Sequence, residues 1–151
     1  MDTSLRRHIG RLLVTLVLAP VLPAIADAVP QAAPVYSVSP VGWIRKSDGK
    51  TWIEIEPKYH AALLGVDQLP SLWVLYWFDR NDTPEKRATL QVHPRGNPEN
   101  PLRGVFATRS PFRPNLIALS QVKLVAVRGN RIEIEAIDAF ADTPVLDIKP
   151  Y

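Results

Sequence analysis

The sequence predicts an all-β protein: a small single-domain β-barrel or folded sheet with one or two short helices. Two apolar runs flank Gly129-Asn130, a pair that suits the tight turn of a β-hairpin. Residues 52–56 alternate in character, as a strand with one buried face does. The 15 prolines cluster between apolar runs. At about twice the usual share of roughly 5 %, they favour short strands and rigid loops over long helices.

The amino-terminal half of this domain is predicted to hold two strands and a short helix. A strand is expected over residues 36–44, with Gly42 at a bulge or an edge position that tolerates it. Residues 52–56 form the second strand. Residues 57–64 are compact enough for a short helix, with a proline near its first turn and Gly65 as its C-cap.

The carboxy-terminal half is predicted to hold the centre of the sheet and a hairpin. Residues 72–78 are apolar on both faces and therefore predict a central strand. Residues 121–128 and 131–137 form the arms of the hairpin, and the second arm alternates apolar side chains with glutamates, which fixes one buried and one solvated face. Residues 145–148 offer a last short strand. The expected total is five to seven strands.

Composition limits the chemistry that the chain can perform. Its 151 residues have room for one domain, and 46 % hydrophobic with 22 % charged residues is too apolar for a disordered chain. The absence of cysteine excludes disulfides, thiolate nucleophiles and cysteine-based zinc sites. His8, His60 and His93 do not lie at a metal-ligand spacing. We therefore expect no metal.

The amino terminus resembles a secretory signal. Three arginines precede an uncharged run over residues 12–26, and Ala26-Asp27-Ala28 has the small-x-small form of a cleavage site. Residues 1–28 are therefore predicted to be a signal peptide and residues 29–35 a linker, with export to the periplasm as the consequence. The apolar run is shorter than the roughly 20 residues of a spanning helix, so no stable membrane span is expected. Alternatively, the true start lies near Val29 or Val35 and the protein is cytoplasmic.

One segment carries a local excess of positive charge. Between residues 95 and 113 four arginines, Arg95, Arg103, Arg109 and Arg113, face a single acidic residue, Glu99. Guanidinium groups bind phosphates and carboxylates in bidentate geometry, and cationic surfaces gain affinity for polyanions through counterion release. The segment is therefore suited to an anionic partner.

The same segment carries a family resemblance. Residues 104–115, Gly-Val-Phe-Ala-Thr-Arg-Ser-Pro-Phe-Arg-Pro-Asn, resemble the signature of the TrmO (TsaA-like) family, with matching segments at residues 93–96 and 143–151. The resemblance covers residues 36–151. It implies a small β-barrel that binds S-adenosylmethionine as a homodimer. It also implies methylation of the N6 amine of a (threonylcarbamoyl)adenosine beside the anticodon, with the tRNA anticodon loop as partner.

Residue roles follow from the resemblance and from the chemistry of the methyl donor, S-adenosylmethionine, whose methyl group is attached to a sulfonium. A sulfonium cation is stabilised by aromatic faces, for which Phe106, Phe112 and Phe140 are candidates, although each could instead pack in the core. The donor's carboxylate calls for a guanidinium such as Arg95 or Arg109. The cofactor surface implied by the resemblance comprises Asp79, Arg80, Arg95, Phe106, Ile137, Asp138, Ala139 and Phe140.

On the substrate side Arg109 and Asn115 are the predicted catalytic residues, because they can hold and read an unstacked adenosine. Arg113, Phe112 and Lys149 are the predicted substrate-binding residues, because RNA loops are recognised by stacking and by cationic contacts to phosphate. Structural alternatives exist for each. Arg109 could pair with Asp138 or Asp147, Asn115 could cap a turn, and Lys149 could form an ion pair with Asp147, which we favour over a proton relay.

The chain departs from the family pattern at two places near the predicted site. Asn115-Leu116-Ile117-Ala118 stands where the family usually has Asn-Pro-Ile-Gly, and Ala141-Asp142 replaces an Asp-Gly pair. These changes leave a second hypothesis beside the methyltransferase. In it the chain is an exported, non-catalytic or repurposed binding module for a small nucleoside-like or anionic ligand.

Overall fold

The computed structural model describes residues 33–151. The predicted signal peptide and residues 29–32 of the predicted linker lie outside the described residues. Tyr36–Tyr151 form one compact unit. Among residues 33–151 no helix has the length and apolar character needed to cross a membrane.

The fold is a closed six-stranded β-barrel, which confirms the predicted all-β class. The strands are β1 Gly42–Ser47, β2 Lys50–Ile55, β3 Ser71–Trp77, β4 Gln91–Val92, β5 Arg103–Gly104, β6 Ile117–Arg128, β7 Arg131–Ile134 and β8 Pro144–Pro150. The barrel order is β1-β2-β7-β6-β3-β8, with β8 pairing back onto β1, and every pairing is antiparallel. β4 and β5 pair separately as a two-stranded sheet.

Side chains that alternate along the strands fill the barrel. On β3, Leu72, Val74 and Tyr76 are buried while their outward neighbours are only half-buried. Residues of five other strands and one loop complete the core: Ile44, Ile53, Ile55, Ala118, Val122, Ile132, Ile134, Ile137 and Val145. Each fully buried large aliphatic side chain contributes about 1.5–3 kcal/mol of transfer free energy, so this cluster is the main source of stability.

The predicted hairpin is present with different bounds. β6 begins at Ile117 and β7 ends at Ile134, so the first arm is longer and the second shorter than predicted. Gly129 has φ 62°, a conformation that glycine adopts without a steric penalty. The side chain of Asn130 donates to the carbonyl oxygen of Ile55 at 2.9 Å, which ties the turn to the end of β2.

Two expectations for the amino-terminal half were wrong in detail. The predicted strand over residues 36–44 begins only at Gly42. A Cβ atom at Gly42 would lie 2.3 Å from the Glu54 carbonyl oxygen, so glycine allows the close approach of β1 and β2 rather than interrupting a strand. The predicted helix is a 3-10 helix over Pro57–Leu63, and Gly65 lies beyond its C-cap with φ 81°.

The sequence analysis missed one helix. α1, Pro84–Ala88, starts with the Thr83 side chain accepting a hydrogen bond from the Lys86 amide. Arg87 on α1 donates to the Asp82 carboxylate at 2.7 Å and to the Pro114 carbonyl at 2.9 Å. The hydrogen bond from Arg87 lowers the pKa of Asp82. α1 thus connects the turn after β3 to the loop before β6.

Candidate functional site

A cavity of about 700 Å³ lies where β3 ends and β6 begins. Four parts of the chain line it: residues 76–81, residues 106–113, the start of β6, and residues 138–143, with Lys46 from the end of β1. Its volume falls within the roughly 300–1,000 Å³ of small-molecule sites. The arginine-rich segment and the loop after β7 therefore meet at one cavity.

Cationic and aromatic side chains dominate the lining. Four basic side chains, Lys46, Arg80, Arg109 and Arg113, outnumber two acidic ones, Asp79 and Asp138. The lining therefore favours a ligand that carries an anionic group such as a carboxylate or a phosphate.

Two phenylalanines at the cavity rim are not core residues. Phe106 is 84 % and Phe140 63 % exposed, although burial is the common use of phenylalanine. The Arg80 guanidinium lies 4.1 Å from the centroid of the Phe140 ring, within the distance of a cation–π interaction. These rings therefore have free surface for a ligand, and one already contacts a cation.

Arg109 and Arg113 differ in what their guanidinium groups contact. Arg113 donates to the carbonyl oxygens of Val105 at 3.0 Å and Thr108 at 3.2 Å, so it holds the loop that carries Phe106 and Arg109. Arg109 is exposed and, within residues 33–151, forms no ion pair with Asp138 or Asp147. Arg109 is therefore available to a ligand, whereas Arg113 is committed to positioning the loop.

Tyr76 forms the floor of the cavity. Its hydroxyl donates to the Asp138 carbonyl oxygen at 2.9 Å and lies 3.2 Å from the Ser120 hydroxyl. Burial raises the pKa of Tyr76, and the Asp138 charge adds to this, while the Ser120 hydrogen bond and Arg109 act in the opposite direction. The neutral phenol fastens the loop of residues 138–143 to the barrel.

Lys46 fastens the same loop from the other side. Its ammonium group donates to the Ile137 carbonyl oxygen at 3.1 Å. Asp142 has φ 66°, a left-handed conformation that explains why glycine is usual at this position and that aspartate adopts more readily than most residues. Arg45 forms an ion pair with Asp142, which stabilises the substituted loop.

Eight of the thirteen predicted site residues line this cavity, and five lie outside it. The eight are Asp79, Arg80, Phe106, Arg109, Arg113, Asp138, Ala139 and Phe140. The five are Arg95, Phe112, Asn115, Ile137 and Lys149.

Local contacts explain why these five lie outside. Arg95 occupies a separate turn with φ 60°, and the Asn115 carbonyl accepts from the Ile117 amide at 2.7 Å in a turn before β6. Ile137 is buried in the core and offers only its backbone. The Phe112 ring faces the Lys86 ammonium at 5.7 Å, and Lys149 pairs with Asp147 at 2.7 Å on β8.

Several cavity residues carried no strong signal in the sequence. Tyr76 lies within an apolar run that predicts a strand, and Lys46 ends another strand. Ser120 is a single small polar residue beside the apolar Leu119. Thr143 is only 3 % exposed and begins the family-like segment of residues 143–151, which was the available signal for it.

Comparisons with known proteins agree with the geometry. The model of the tRNA-methyltransferase O N-terminal domain matches residues 39–151. A probable S-adenosyl-L-methionine-binding protein of Pyrococcus horikoshii is 50 % identical over 116 residues, 77 % of this chain and 82 % of that protein. The human tRNA (adenine(37)-N6)-methyltransferase is 44 % identical over 90 residues, 60 % of this chain and 20 % of that enzyme.

A solved structure extends the likeness to the fold. The crystal structure of TrmO from Pseudomonas aeruginosa matches with a TM-score of 0.60 and 30 % identity, over 78 % of this chain and 56 % of that chain. The chain thus spans little more than half the length of this solved relative.

Proposed function

The chain belongs to the tRNA-methyltransferase O family, and on that premise we propose that it is an S-adenosyl-L-methionine-dependent methyltransferase acting on a tRNA adenosine. One observation carries the proposal. Residues 76–81, 106–113 and 138–143 are far apart in sequence, yet they meet at one basic, aromatic cavity of about 700 Å³. The finer proposal, taken from the family resemblance, is the N6 amine of a (threonylcarbamoyl)adenosine beside the anticodon.

The side chains around the cavity fit the chemistry of this cofactor. S-adenosylmethionine combines a sulfonium cation, an amine, a carboxylate and an adenosine, and when bound it supplies an electrophilic methyl group. The exposed ring of Phe106 would hold the cation, because the Phe140 ring already faces the Arg80 guanidinium. Arg109 would bind the carboxylate, and Asp79 or Asp138 the amine.

This chain's contribution to the reaction is mainly positioning. Methyl transfer to an amine needs no nucleophilic side chain, and alignment together with exclusion of water lowers the barrier. Tyr76 and Lys46 hold the backbone of residues 137 and 138 in place. The methylated amine must lose a proton. The carboxylates of Asp79 and Asp138 line the cavity and can accept it.

The homodimer implied by the resemblance is supported by exposed apolar side chains where β6 begins, at the edge of the cavity. Ile117 is 40 % and Leu119 47 % exposed, both line the cavity, and Leu119 pairs with the half-buried Leu75 of β3. Clusters of exposed apolar side chains are common at interfaces between protein chains. Sedimentation of the wild type and of Leu119→Glu tests the dimer, with a shift to monomer expected in the variant.

Calorimetric titration of the full chain with S-adenosylmethionine, followed by a methyl-transfer assay on tRNA, tests the function. Arg109→Ala should weaken cofactor binding by about ten- to a hundredfold, since hydrogen bonds to charged groups are worth about 1.5–3 kcal/mol. Arg103→Ala is the matched control, an exposed arginine of the same segment outside the cavity, and should bind as the wild type does. Absence of heat at millimolar cofactor would refute the proposal.

The second hypothesis, a non-catalytic exported module, predicts a different result from the same experiments. It is favoured by the substitutions at Leu116 and Ala118, which lie buried beside the cavity at the start of β6. Saturable ligand binding without methyl transfer to any tRNA would support it. Export itself rests on residues 1–28, and mass spectrometry of the protein from cells would detect cleavage after Ala28.

A further inference from the structure

A second cavity, of about 370 Å³, lies on the outer face of the barrel across β2 and β7. Lys50, Trp52, Arg128, Arg131 and Glu133 line it together with the β1–β2 turn, and we call it the outer groove. We propose that the outer groove binds single-stranded RNA, with a phosphate on the two arginines and an acceptor group on the Trp52 indole. The proposal deepens the proposed function and rests on it, since it assumes an RNA substrate.

The indole of Trp52 provides the first observation. Its Nε1 atom is buried and, among the described residues, is the one buried side-chain nitrogen or oxygen without a hydrogen-bond partner. A buried donor left unpaired is unfavourable, so such groups in native proteins commonly mark a site that is completed by something else. A ligand carbonyl or phosphate oxygen in the groove would complete it.

The two arginines provide the second observation. Arg131 lies 5.4 Å from the Trp52 ring centroid and covers it. Their ion-pair partners are distant, 3.6 Å from Arg128 to Glu133 and 3.9 Å from Arg131 to Glu54. Ion pairs at such distances, with exposed guanidinium groups, are weak because solvent screens them. The guanidinium groups therefore keep donors for a phosphate, and their flexible side chains can move off the indole.

The position of the outer groove relative to the first cavity provides the third observation. Lys46 lines the first cavity and Ser47 the outer groove. These are consecutive residues of β1, whose Cα atoms lie about 3.8 Å apart. The end of β1 therefore separates the two cavities, and an RNA strand whose target base occupies the first would have neighbouring nucleotides within reach of the second.

The combination of groups favours RNA over an acidic protein. Three cations, Lys50, Arg128 and Arg131, outnumber two carboxylates, Asp48 and Glu133, around an indole that carries both a ring and an N–H group. Proteins that bind single strands combine a positively charged groove with aromatic platforms on which bases stack. An acidic peptide would use the cations alone and would leave the indole donor unsatisfied.

Fluorescence anisotropy of the full chain with a labelled oligouridylate tests the inference, because this RNA lacks the target adenosine. The double variant Arg128→Ala/Arg131→Ala should bind at least about tenfold more weakly. Its plot of log affinity against log salt should flatten by about 0.7, the contribution of one phosphate contact on a single strand. Trp52→Phe keeps a ring but loses the N–H and should weaken binding several-fold.

The matched control is the double variant Lys58→Ala/Lys123→Ala. It removes the same charge from exposed side chains in comparably long ion pairs, 3.7 and 3.4 Å, outside the outer groove. Binding by Arg128→Ala/Arg131→Ala within about twofold of this control would overturn the inference, and so would equal competition by polyglutamate. Loss of oligouridylate binding in Arg128→Ala/Arg131→Ala with intact S-adenosylmethionine binding supports it. A wild type that binds oligouridylate through the groove but not S-adenosylmethionine contradicts the proposed function alone.

Discussion

The β2–β7 side of the barrel and its cavity end differ in what fills the space inside the strands. Between β2 and β7 the inward positions hold Ile53, Ile55, Ile132 and Ile134, each at most 3 % exposed. At the cavity end Tyr76 and its hydrogen bonds to a loop carbonyl take the place of further aliphatic packing. The isoleucine side supplies stability without any ligand. The cavity end holds its loops by single hydrogen bonds and leaves room for a ligand.

The strongest test of this difference is Ile53→Ala. Ile53 is fully buried, so truncation removes apolar contacts and leaves a cavity, at an expected cost of about 2–5 kcal/mol in the free energy of unfolding. Urea denaturation measures the change. Ligand affinity of the molecules that remain folded should be unchanged, because Ile53 does not line the cavity.

Val125→Ala is the control for Ile53→Ala. Val125 is 54 % exposed, and its truncation should change stability by no more than about 0.5 kcal/mol. Equal losses in the two variants would show that the β2–β7 side does not carry the stability assigned to it.

Local regularity in the chain determines which parts of the fold could be predicted from the sequence. The β6–β7 hairpin could be located because its second arm alternates every two residues and its turn needs particular residues, and β3 because it is a continuous apolar run. The two-residue strands β4 and β5 could not, because they show no period. α1 was missed because five residues are too few to display helical periodicity.

The site was predicted less completely, and the reason is again physical. Arg109, Phe106 and Phe140 were found because they lie in segments that resemble a known family. Tyr76 and Lys46 join the cavity only through contacts to a loop more than sixty residues away in sequence, and local pattern carries no information on such pairs. Arg95 was expected in the site because of its charge, yet the chain turns away from the cavity between residues 94 and 97.

Tyr76→Phe tests the cavity end. It removes the hydroxyl that donates to the Asp138 carbonyl, at an expected cost of about 0.5–1.5 kcal/mol. Because the loop of residues 138–143 loses this attachment, affinity for the cavity ligand should also fall several-fold. Parallel denaturation and titration measure both quantities. A change in stability without a change in affinity would mean that the loop keeps its position by Lys46 alone.

The pH dependence of stability adds a second readout for Tyr76→Phe. Burial raises the pKa of Tyr76 above its ordinary value of 10.0. The unfolded chain therefore releases this proton first, and the free energy of unfolding of the wild type falls as pH rises past 10. Tyr76→Phe lacks the group, so the difference in stability between the two proteins should shrink as the pH rises above 10.

The smallest effect is expected for Lys149→Ala, on the outer surface away from both cavities. Its ion pair with Asp147 is short, 2.7 Å, but the two side chains are 60 % and 49 % exposed. Solvent screens such pairs, which contribute about 0–1 kcal/mol, so urea denaturation should barely distinguish the variant from the wild type.

If Lys149 only pairs with Asp147, Asp147→Asn should have the same small effect and tRNA affinity should be unaltered in both. If Lys149 instead binds substrate, the role predicted for it from the sequence, Lys149→Ala alone should weaken tRNA binding while Asp147→Asn should not. That outcome would extend the substrate surface from the cavity end onto β8.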